Sequence, residues 1–281
     1  MELTLQVPAK VNLTLIVGAR RADGYHDVST VMQAVGLYDT LMLSGGGSGL
    51  TMTCTDPDLP TDGSNLVLRA AALFCQELHL PVPDLHLHLE KCIPSQAGLG
   101  GGSSDAAAVL RAMRTLYAPE VSDAELERMA AALGSDVPFF IRGGTALATG
   151  RGERLVPLPR LRDGWFVIVK PPEGFSTPVM YRRLDELPPE PPRPDGMTAA
   201  LEGGGVRTVA AALYNSFERA VPPVSAVWDI EDALRAHGAL AALLSGSGSA
   251  VFGLFDREDT ARDAADVLRA RWPLTFVVQP V

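Results

Sequence analysis

Apolar and polar residues alternate along the first part of the chain, which indicates strands that bury one face. The two-residue period covers four segments, residues 2–7, 11–18, 28–36 and 40–44. A glycine-rich run at residues 45–49 follows, and it predicts a hairpin turn into a short strand at residues 50–54. The chain therefore begins with predicted β-structure.

A longer apolar period predicts helices in the first half. Leu66 and Leu73 lie seven residues apart after Asn65, which predicts a capped helix that ends near residue 79. Ser122 and Glu125 have the spacing of a capping box, so they predict another helix, which ends near residue 133.

A predicted strand at residues 85–89 alternates leucines with His86 and His88. Two histidines at this spacing share one strand face and could hold a metal. No third ligand lies nearby in the sequence, so we expect a solvated strand face instead.

The second half shows strands and helices in the order β-α-α-β-β-α-β, which is typical of a ferredoxin-like α+β layer. We expect strands at residues 165–170, 240–244, 250–255 and 274–279 and helices at residues 206–219, 225–237 and 258–271. Frequent prolines and glycines at residues 188–205 predict a long surface loop. A similar stretch near residues 157–164 predicts a boundary between domains at residues 1–160 and 161–281.

Composition narrows the class of protein. The chain has 281 residues, of which 47% are hydrophobic, so it can fold around a sizeable core. No apolar run reaches the ~18 residues that span a membrane, and the acidic, alternating start does not resemble a signal peptide. Cys54, Cys75 and Cys92 are far apart, which is typical of free thiols in a reducing compartment. We therefore expect a cytoplasmic protein.

The charged residues limit the ligands. A net charge of −9 argues against non-specific binding of nucleic acid, but a few local donors are enough for a small phosphorylated ligand. Of the 24 basic residues, all but Lys10, Lys91 and Lys170 are arginines. A lysine in so arginine-rich a chain indicates a place for a compact ammonium group.

A glycine-rich segment, called here the glycine loop, occupies residues 94–104 and has the sequence P-S-Q-A-G-L-G-G-G-S-S. Strong helix formers follow, and we expect a helix at about residues 104–116. Glycines let backbone N–H groups approach an anion, and a helix start adds unpaired donors and a positive dipole end. The loop therefore predicts a phosphate cradle.

Two familiar phosphate loops do not match. No lysine follows the glycines, as a Walker A loop requires. A dinucleotide loop needs glycine where Ser103 stands and an acid after the next strand, whereas Glu120 lies between two predicted helices. The pattern P-x-x-x-G-L-G-G-G-S-S instead resembles the ATP loop of the galactokinase–homoserine kinase–mevalonate kinase–phosphomevalonate kinase (GHMP) superfamily.

Further segments resemble motifs of one branch of that superfamily, in order from residue 8 to about residue 255. They are P-A-K-V-N-L at 8–13, R-A-D-G-Y-H at 21–26, L-G-S-D-V-P-F-F at 133–140 and L-S-G-S-G-S at 244–249. The A-D-G-Y-H and G-S-D-V-P blocks resemble the branch that phosphorylates the 2-hydroxyl of 4-diphosphocytidyl-2-C-methyl-D-erythritol in non-mevalonate isoprenoid synthesis.

The resemblance implies an α+β fold with two domains and a cleft between them. The N-terminal half would be ribosomal-protein-S5-domain-2-like and the C-terminal half ferredoxin-like. The implied small-molecule substrates are ATP, which carries Mg²⁺, and a cytidyl diphosphate-linked polyol. We expect no nucleic acid or membrane partner, and a monomer or weak homodimer.

The resemblance also implies a role for each residue of the predicted site. Asp136 would accept the proton of the reacting hydroxyl, and Lys10 would keep that carboxylate ionised. Ser103 or Ser104 would contact a phosphate or the Mg²⁺. The implied ATP-binding residues are Pro94, Ser95, Gln96, Ala97, Gly98, Leu99, Gly100, Gly101, Gly102, Ser103 and Ser104. The implied substrate-binding residues are Asn12, Tyr25, His26 and Thr177.

The residues alone leave some of these roles open. Asp136 and Thr177 each precede a proline-containing helix start. For Asp136 the residues alone favour a helix cap, and only the resemblance reverses that, whereas for Thr177 a cap and a substrate contact are equally good explanations. The alternative functions are a related kinase for homoserine, mevalonate or a sugar, and a catalytically inactive nucleotide-binding relative. Tyr25 and His26 favour the cytidyl acceptor, because the other acceptors carry no base to stack on. Retention of Lys10 together with Asp136 argues against an inactive relative.

Overall fold

The structure, a computed structural model, describes residues 2–188 and 196–281. Its residues form two compact units. The first unit comprises the described part of Met1–Ala9, Leu37–Ser95 and Gly100–Gly143, and the second comprises Lys10–Gly36, Gln96–Leu99 and the described part of Gly144–Val281. Two long strands, β1 (Glu2–Arg20) and β2 (His26–Gly45), contribute residues to both units. The boundary near residue 160 stays a prediction.

In the first unit, β3 (Leu50–Cys54) pairs in parallel with β4 (Leu85–Glu90), and β4 pairs antiparallel with the end of β2. The strand β4 therefore lies between β2 and β3. The predicted hairpin at residues 45–49 is wrong, because β3 takes its backbone partner from β4 and the glycines join two strands that are not neighbours.

The polar face of β4 carries the two histidines. The ring of His86 lies 2.9 Å from Thr51 Oγ1 and 3.0 Å from Thr53 Oγ1. His88 Nδ1 lies 2.7 Å from the same Thr53 oxygen. The described residues contain no group of three or more His, Cys, Asp or Glu side chains that could hold a metal.

The helices of the first unit begin where the sequence provides caps. They are α1 (Leu66–Glu77), α2 (Gly101–Tyr117), α3 (Asp123–Leu133) and α4 (Val137–Arg142). The predicted cap of α1 is confirmed, because the Asn65 side chain accepts a hydrogen bond from the N–H group of the second helical residue. The capping box of Ser122 and Glu125 is confirmed at α3. The helix α2 begins earlier than predicted, at Gly101, after Gly100 turns the chain with a φ of 73°.

The second unit contains two groups of paired strands. In one, β5 (Thr145–Thr149) pairs antiparallel with β2 and with β6 (Arg154–Leu158), and β8 (Tyr214–Asn215) pairs in parallel with β1. The other group comprises β7 (Trp165–Val169), β9 (Ala241–Leu244), β10 (Val251–Phe255) and β11 (Thr275–Val278). Their antiparallel order is β11-β7-β10-β9.

Two helices cover this four-stranded sheet, α8 (Ala226–Ala236) and α9 (Glu258–Arg269). Ile230, Leu234 and Ala265 of these helices are buried in one core with Val167 and Val251 of the strands. The order of strands and helices confirms the predicted ferredoxin-like half.

The other helices of the second unit among the described residues are α5 (Thr177–Asp185), α6 (Gly196–Gly203), α7 (Val206–Ala212) and a short 3-10 helix at Ser216–Ala220. The helix predicted to reach residue 219 ends at Ala212, because the next residues pair with β1. Of the loop predicted at residues 188–205, residues 189–195 lie outside the described residues. The prediction is wrong for residues 196–203, where a helix buries Met197 and Ala200. None of the described helices is long and apolar enough to cross a membrane.

Candidate active site

Residues 96–99 of the glycine loop lie against residues 245–250 within the second unit. Two backbone hydrogen bonds join these segments, and the Ser245 hydroxyl donates to the Gly98 carbonyl at 3.1 Å. A Cβ on Gly98 would lie 2.0 Å from the Ser245 carbonyl oxygen. Gly98 also has a φ of 73°, which residues that carry a side chain rarely adopt. Glycine is therefore required here for backbone shape and for close packing.

The glycines that follow serve a different purpose. Gly100 turns the chain into α2, whose first turn offers backbone N–H groups that have no intrahelical acceptor. A Cβ on Gly102 would meet Leu66 Cδ1 at 3.8 Å, an ordinary contact distance, and Gly102 itself is exposed. This helix start has the form that a phosphate cradle requires.

The two serines at the end of the glycine loop are not equivalent. Ser104 is buried, and its hydroxyl donates to the Pro8 carbonyl at 2.6 Å. Ser103 is half-buried. Ser104 therefore supports the fold around the loop, which leaves Ser103 as the better candidate for contact with a phosphate or its metal.

Lys10 is buried on β1 and is held by neighbouring polar groups. Its backbone N–H donates to the Leu99 carbonyl at 2.9 Å, and its ammonium donates to Asn12 Oδ1 at 2.6 Å. The Asn12 amide in turn donates to Thr30 Oγ1 at 2.8 Å. These contacts show that Lys10 and Asn12 point to the same side of the strand. They also tie Lys10 to the glycine loop.

Asp136 is the residue before α4 in the first unit. It occupies the cap position with an α-helical backbone, a φ of −84° and a ψ of −14°. Within the described structure its side chain makes no capping hydrogen bond to that helix. Capping by this carboxylate therefore does not explain an aspartate at this position.

His26 belongs to a group of side chains in the second unit, called here the histidine cluster, that also includes Tyr181 and Asp185. The His26 and Tyr181 rings are stacked with centroids 4.8 Å apart, and His26 Nε2 lies 2.7 Å from Asp185 Oδ1. An ionised carboxylate only accepts, so Nε2 carries the hydrogen and, in the neutral ring, Nδ1 is left as an acceptor. The cluster thus fixes the ring's orientation and its tautomer.

The helix α5 connects this cluster to the loop at residues 245–249. Thr177, Tyr181 and Asp185 are each one turn apart, so they share one face of the helix. The Thr177 hydroxyl lies 2.7 Å from Ser247 Oγ, and Ser176, not Thr177, occupies the cap position. The four-residue spacing was available in the sequence, but nothing in it linked Tyr181 or Asp185 to His26.

Tyr25 differs from its neighbour His26 in its exposure to solvent. Its side chain is 56% exposed, and the Arg151 guanidinium lies 4.9 Å from the ring centroid. An exposed ring beside a cation can accept a flat base that carries phosphate groups.

All three lysines of the chain are buried. Lys10 and Lys170 are 3% and 8% exposed, and the Lys91 side chain is 6% exposed. The Lys170 ammonium donates to the carbonyls of Pro171 and Glu173 at 2.7 and 2.8 Å. Burial lowers the pKa of Lys170, and the charge of Glu173 only partly offsets it. That a compact ammonium is needed at these three positions stays a prediction.

Comparison with known proteins identifies the family to which the chain belongs. Residues 65–144 match the model of the GHMP kinases N terminal domain, and residues 197–274 match that of the GHMP kinases C terminal. A relative from Streptomyces coelicolor, 4-diphosphocytidyl-2-C-methyl-D-erythritol kinase, is 42% identical over 96% of this chain and 93% of its own. The enzyme of the same name from Moorella thermoacetica is 41% identical over 99% and 98%.

A solved structure gives the same result. The crystal structure of a 4-(cytidine 5'-diphospho)-2C-methyl-D-erythritol kinase superposes with a TM-score of 0.82 and 39% identity, covering 98% of both chains. The two-domain α+β fold expected from the resemblance is therefore confirmed. The chain belongs to the GHMP kinases, within the branch formed by the 4-diphosphocytidyl-2-C-methyl-D-erythritol kinases.

Proposed function

We propose that this protein transfers the γ-phosphoryl group of ATP to the 2-hydroxyl of 4-diphosphocytidyl-2-C-methyl-D-erythritol. The observation that carries the proposal is the 42% identity to a kinase of that name over almost the whole of both chains. Family membership alone supports an ATP-dependent small-molecule kinase. Tyr25 supports the cytidyl acceptor, because it is 56% exposed and offers an aromatic ring for a base.

The glycine loop would bind the phosphates of ATP through backbone N–H groups of its glycines and of the first turn of α2. The positive end of the helix dipole lies at the same place. Gly98 keeps the loop's shape through its contact with Ser245, and Gly102 is exposed at the start of α2, where its backbone can approach a phosphate.

Mg²⁺ would be bound mainly by the ATP phosphates, as this ion prefers few protein ligands and many phosphate oxygens and waters. The metal would neutralise charge on the phosphoryl group that is transferred. Ser103 fits as a hydroxyl contact, since the Ser104 hydroxyl is bonded to the Pro8 carbonyl.

In the proposed reaction the acceptor oxygen forms a bond to the γ-phosphorus, the bond from phosphorus to the bridging oxygen breaks, and ADP leaves. Asp136 would take the hydroxyl proton, a contribution of about 10²–10⁴ in rate. The Lys10 ammonium donates to Asn12 Oδ1 at 2.6 Å, which supports a charge held in one position, and that charge would polarise the reacting hydroxyl. Thr177 and Asn12 would also contact the acceptor.

A panel of acceptors tests the proposal directly. ADP release with Mg-ATP is measured against the cytidyl acceptor, homoserine, mevalonate and a hexose, each at equal concentration. We expect turnover only with the cytidyl acceptor. Turnover with homoserine or mevalonate, and none with the cytidyl compound, would contradict it. No turnover with any acceptor while ATP binds would support an inactive relative.

The role of Asp136 is tested by Asp136→Asn. We expect kcat to fall by about 10²-fold or more while the affinity for Mg-ADP stays unchanged, because only the proton acceptor is removed. Asp123→Asn is the matched control, since Asp123 is another acid at a helix start and pairs with Arg114 on the surface. Full activity of Asp136→Asn would leave Asp136 without a role in the reaction.

A further inference from the structure

A buried group of charges in the first unit lies beside the glycine loop. It comprises Asp39, Lys91 and Asp105 and is called here the acid–lysine cluster. Asp39 and Asp105 are 0% and 2% exposed. The Lys91 ammonium donates to Asp39 Oδ2 and, at 3.0 Å, to Asp105 Oδ2. Nothing in the reaction proposed above uses these residues.

Asp39 holds the segment that enters the glycine loop. Its Oδ1 accepts hydrogen bonds from the backbone N–H groups of Cys92, at 2.6 Å, and Ile93, at 2.8 Å. The loop begins at the next residue, Pro94. A single carboxylate therefore fixes two consecutive peptide groups and the Lys91 side chain.

The same ammonium contacts the helix turn that leaves the loop. Asp105 lies one turn after Gly101, the first residue of α2. A Cβ on Gly101 would lie 3.1 Å from Lys91 Nζ and 3.1 Å from Ile93 Cγ2, so this glycine lets the helix start approach the cluster. The entry and the exit of the loop are thus joined through one side chain.

Stability alone is a weak reason to bury such a cluster, because apolar side chains of similar size are often as stabilising. One oxygen of Asp105, Oδ1, is buried and has no hydrogen-bond partner among the described residues. Burial raises the pKa of Asp105 to about 7, although the Lys91 charge opposes this. An ammonium beside a helix start also opposes the helix dipole unless carboxylates compensate it.

We propose that Asp39, Lys91 and Asp105 are positioning residues for nucleotide binding. They fix the spacing between the segment that enters the glycine loop and the helix turn that leaves it, so that the N–H groups of the loop stay aimed at the phosphates. The inference depends on the proposed function only in that the loop binds ATP.

The test measures nucleotide binding in the full-length protein without acceptor, by calorimetric titration of Mg-ADP and of Mg-bound non-hydrolysable ATP. Asp39→Asn removes the negative charge that binds the Lys91 ammonium, and the side chain keeps its size. We expect Kd for both nucleotides to rise about 10- to 100-fold, the effect of losing a charged hydrogen bond.

Met113→Ala is the matched control. Met113 is fully buried on α2, beyond the loop, so its loss destabilises the same unit without touching the cluster. We expect a lower melting temperature with Kd unchanged. The proposal is overturned if folded Asp39→Asn binds both nucleotides within about twofold of wild type, or if Met113→Ala weakens binding as much as Asp39→Asn does.

A second measurement applies if Asp39→Asn does not fold. Amide hydrogen exchange of the wild type without nucleotide should protect Cys92 and Ile93 as strongly as the core of α2, since Asp39 holds both N–H groups. Exchange as fast as in exposed loops overturns the proposal. Failure of the proposed function gives a different result, namely nucleotide binding that depends on Asp39 with no turnover of the cytidyl acceptor.

Discussion

The glycine loop and the histidine cluster differ in the chemical groups that they present to a ligand. The loop presents mainly backbone groups, because five of its eleven residues are glycine or alanine and the Ser104 side chain is buried. The histidine cluster presents rings and a carboxylate from two separate segments, with His26 on β2 and its partners on α5. A backbone site suits a ligand common to many kinases, namely phosphate, whereas a side-chain site can be varied to suit one acceptor.

The largest expected effect breaks the loop itself. Gly98→Ala would place a Cβ 2.0 Å from the Ser245 carbonyl oxygen at a φ of 73°. We expect a loss of about 2–5 kcal/mol in the free energy of unfolding and loss of detectable Mg-ADP binding. Urea unfolding and calorimetry check both.

Gly102→Ala is the matched control for Gly98→Ala, because its Cβ would meet Leu66 Cδ1 only at the ordinary contact distance of 3.8 Å. We expect its stability to stay within about 1 kcal/mol of wild type, since alanine favours the helix. Equal stability of the two variants would mean that Gly98 is not required by the backbone.

The second prediction removes the aromatic side chains from the acceptor side. Tyr25→Ala combined with His26→Ala should raise KM for the cytidyl acceptor. The increase should correspond to a loss of about 1–3 kcal/mol in binding free energy, the usual value of a stacked base. The Kd for Mg-ADP should not change. Steady-state kinetics and calorimetry separate the two effects, and an equal loss of ADP binding would mean that these residues belong to the donor side.

A smaller effect is expected from Asp185→Asn. An amide can donate to His26 Nε2 and reverse the tautomer that the carboxylate imposes, which weakens the ring's fixed orientation. We expect KM for the acceptor to rise about fivefold, from the loss of about 1 kcal/mol. Asp232→Asn, an exposed substitution on α8, serves as the control. If both variants match wild type, Asp185 has no part in acceptor binding.

The smallest effect concerns the support behind the loop at residues 245–249. Glu218 accepts a hydrogen bond from the Leu244 N–H at 3.0 Å. Burial, with the nearby Glu231, raises the pKa of Glu218 to about 8. The folded state therefore keeps a proton that the unfolded chain releases near pH 4.5. The free energy of unfolding should fall as the pH rises from about 5 to about 8.

Chemical unfolding at a series of pH values tests this prediction. Glu218→Gln should flatten the part of the profile that comes from this carboxyl, because glutamine does not titrate. The raised pKa of Asp105 contributes a slope of the same sign, so some dependence should remain. A wild-type profile that rises from about pH 5 to about pH 8 would contradict the prediction.

The sequence predicted the glycine loop more completely than the histidine cluster, for a physical reason. A backbone that needs left-handed φ values must use glycine, so the requirement is visible in the sequence at Gly98 and Gly100. The histidine cluster needs two segments to meet, and no local pattern records which residue of α5 faces His26. The prediction of a hairpin at residues 45–49 was wrong for a similar reason, since β3 pairs with β4, which follows α1 in the chain.

The buried lysines have a practical consequence for labelling. Reagents that acylate primary amines will find no readily accessible lysine side chain on the folded protein, since Lys10, Lys91 and Lys170 are all below 10% exposure. Each unfolded molecule exposes all three. The fraction of molecules that carry acyl groups on these lysines after a short pulse, read by mass spectrometry of the peptides, therefore measures the unfolded fraction of a mixture without any engineered probe.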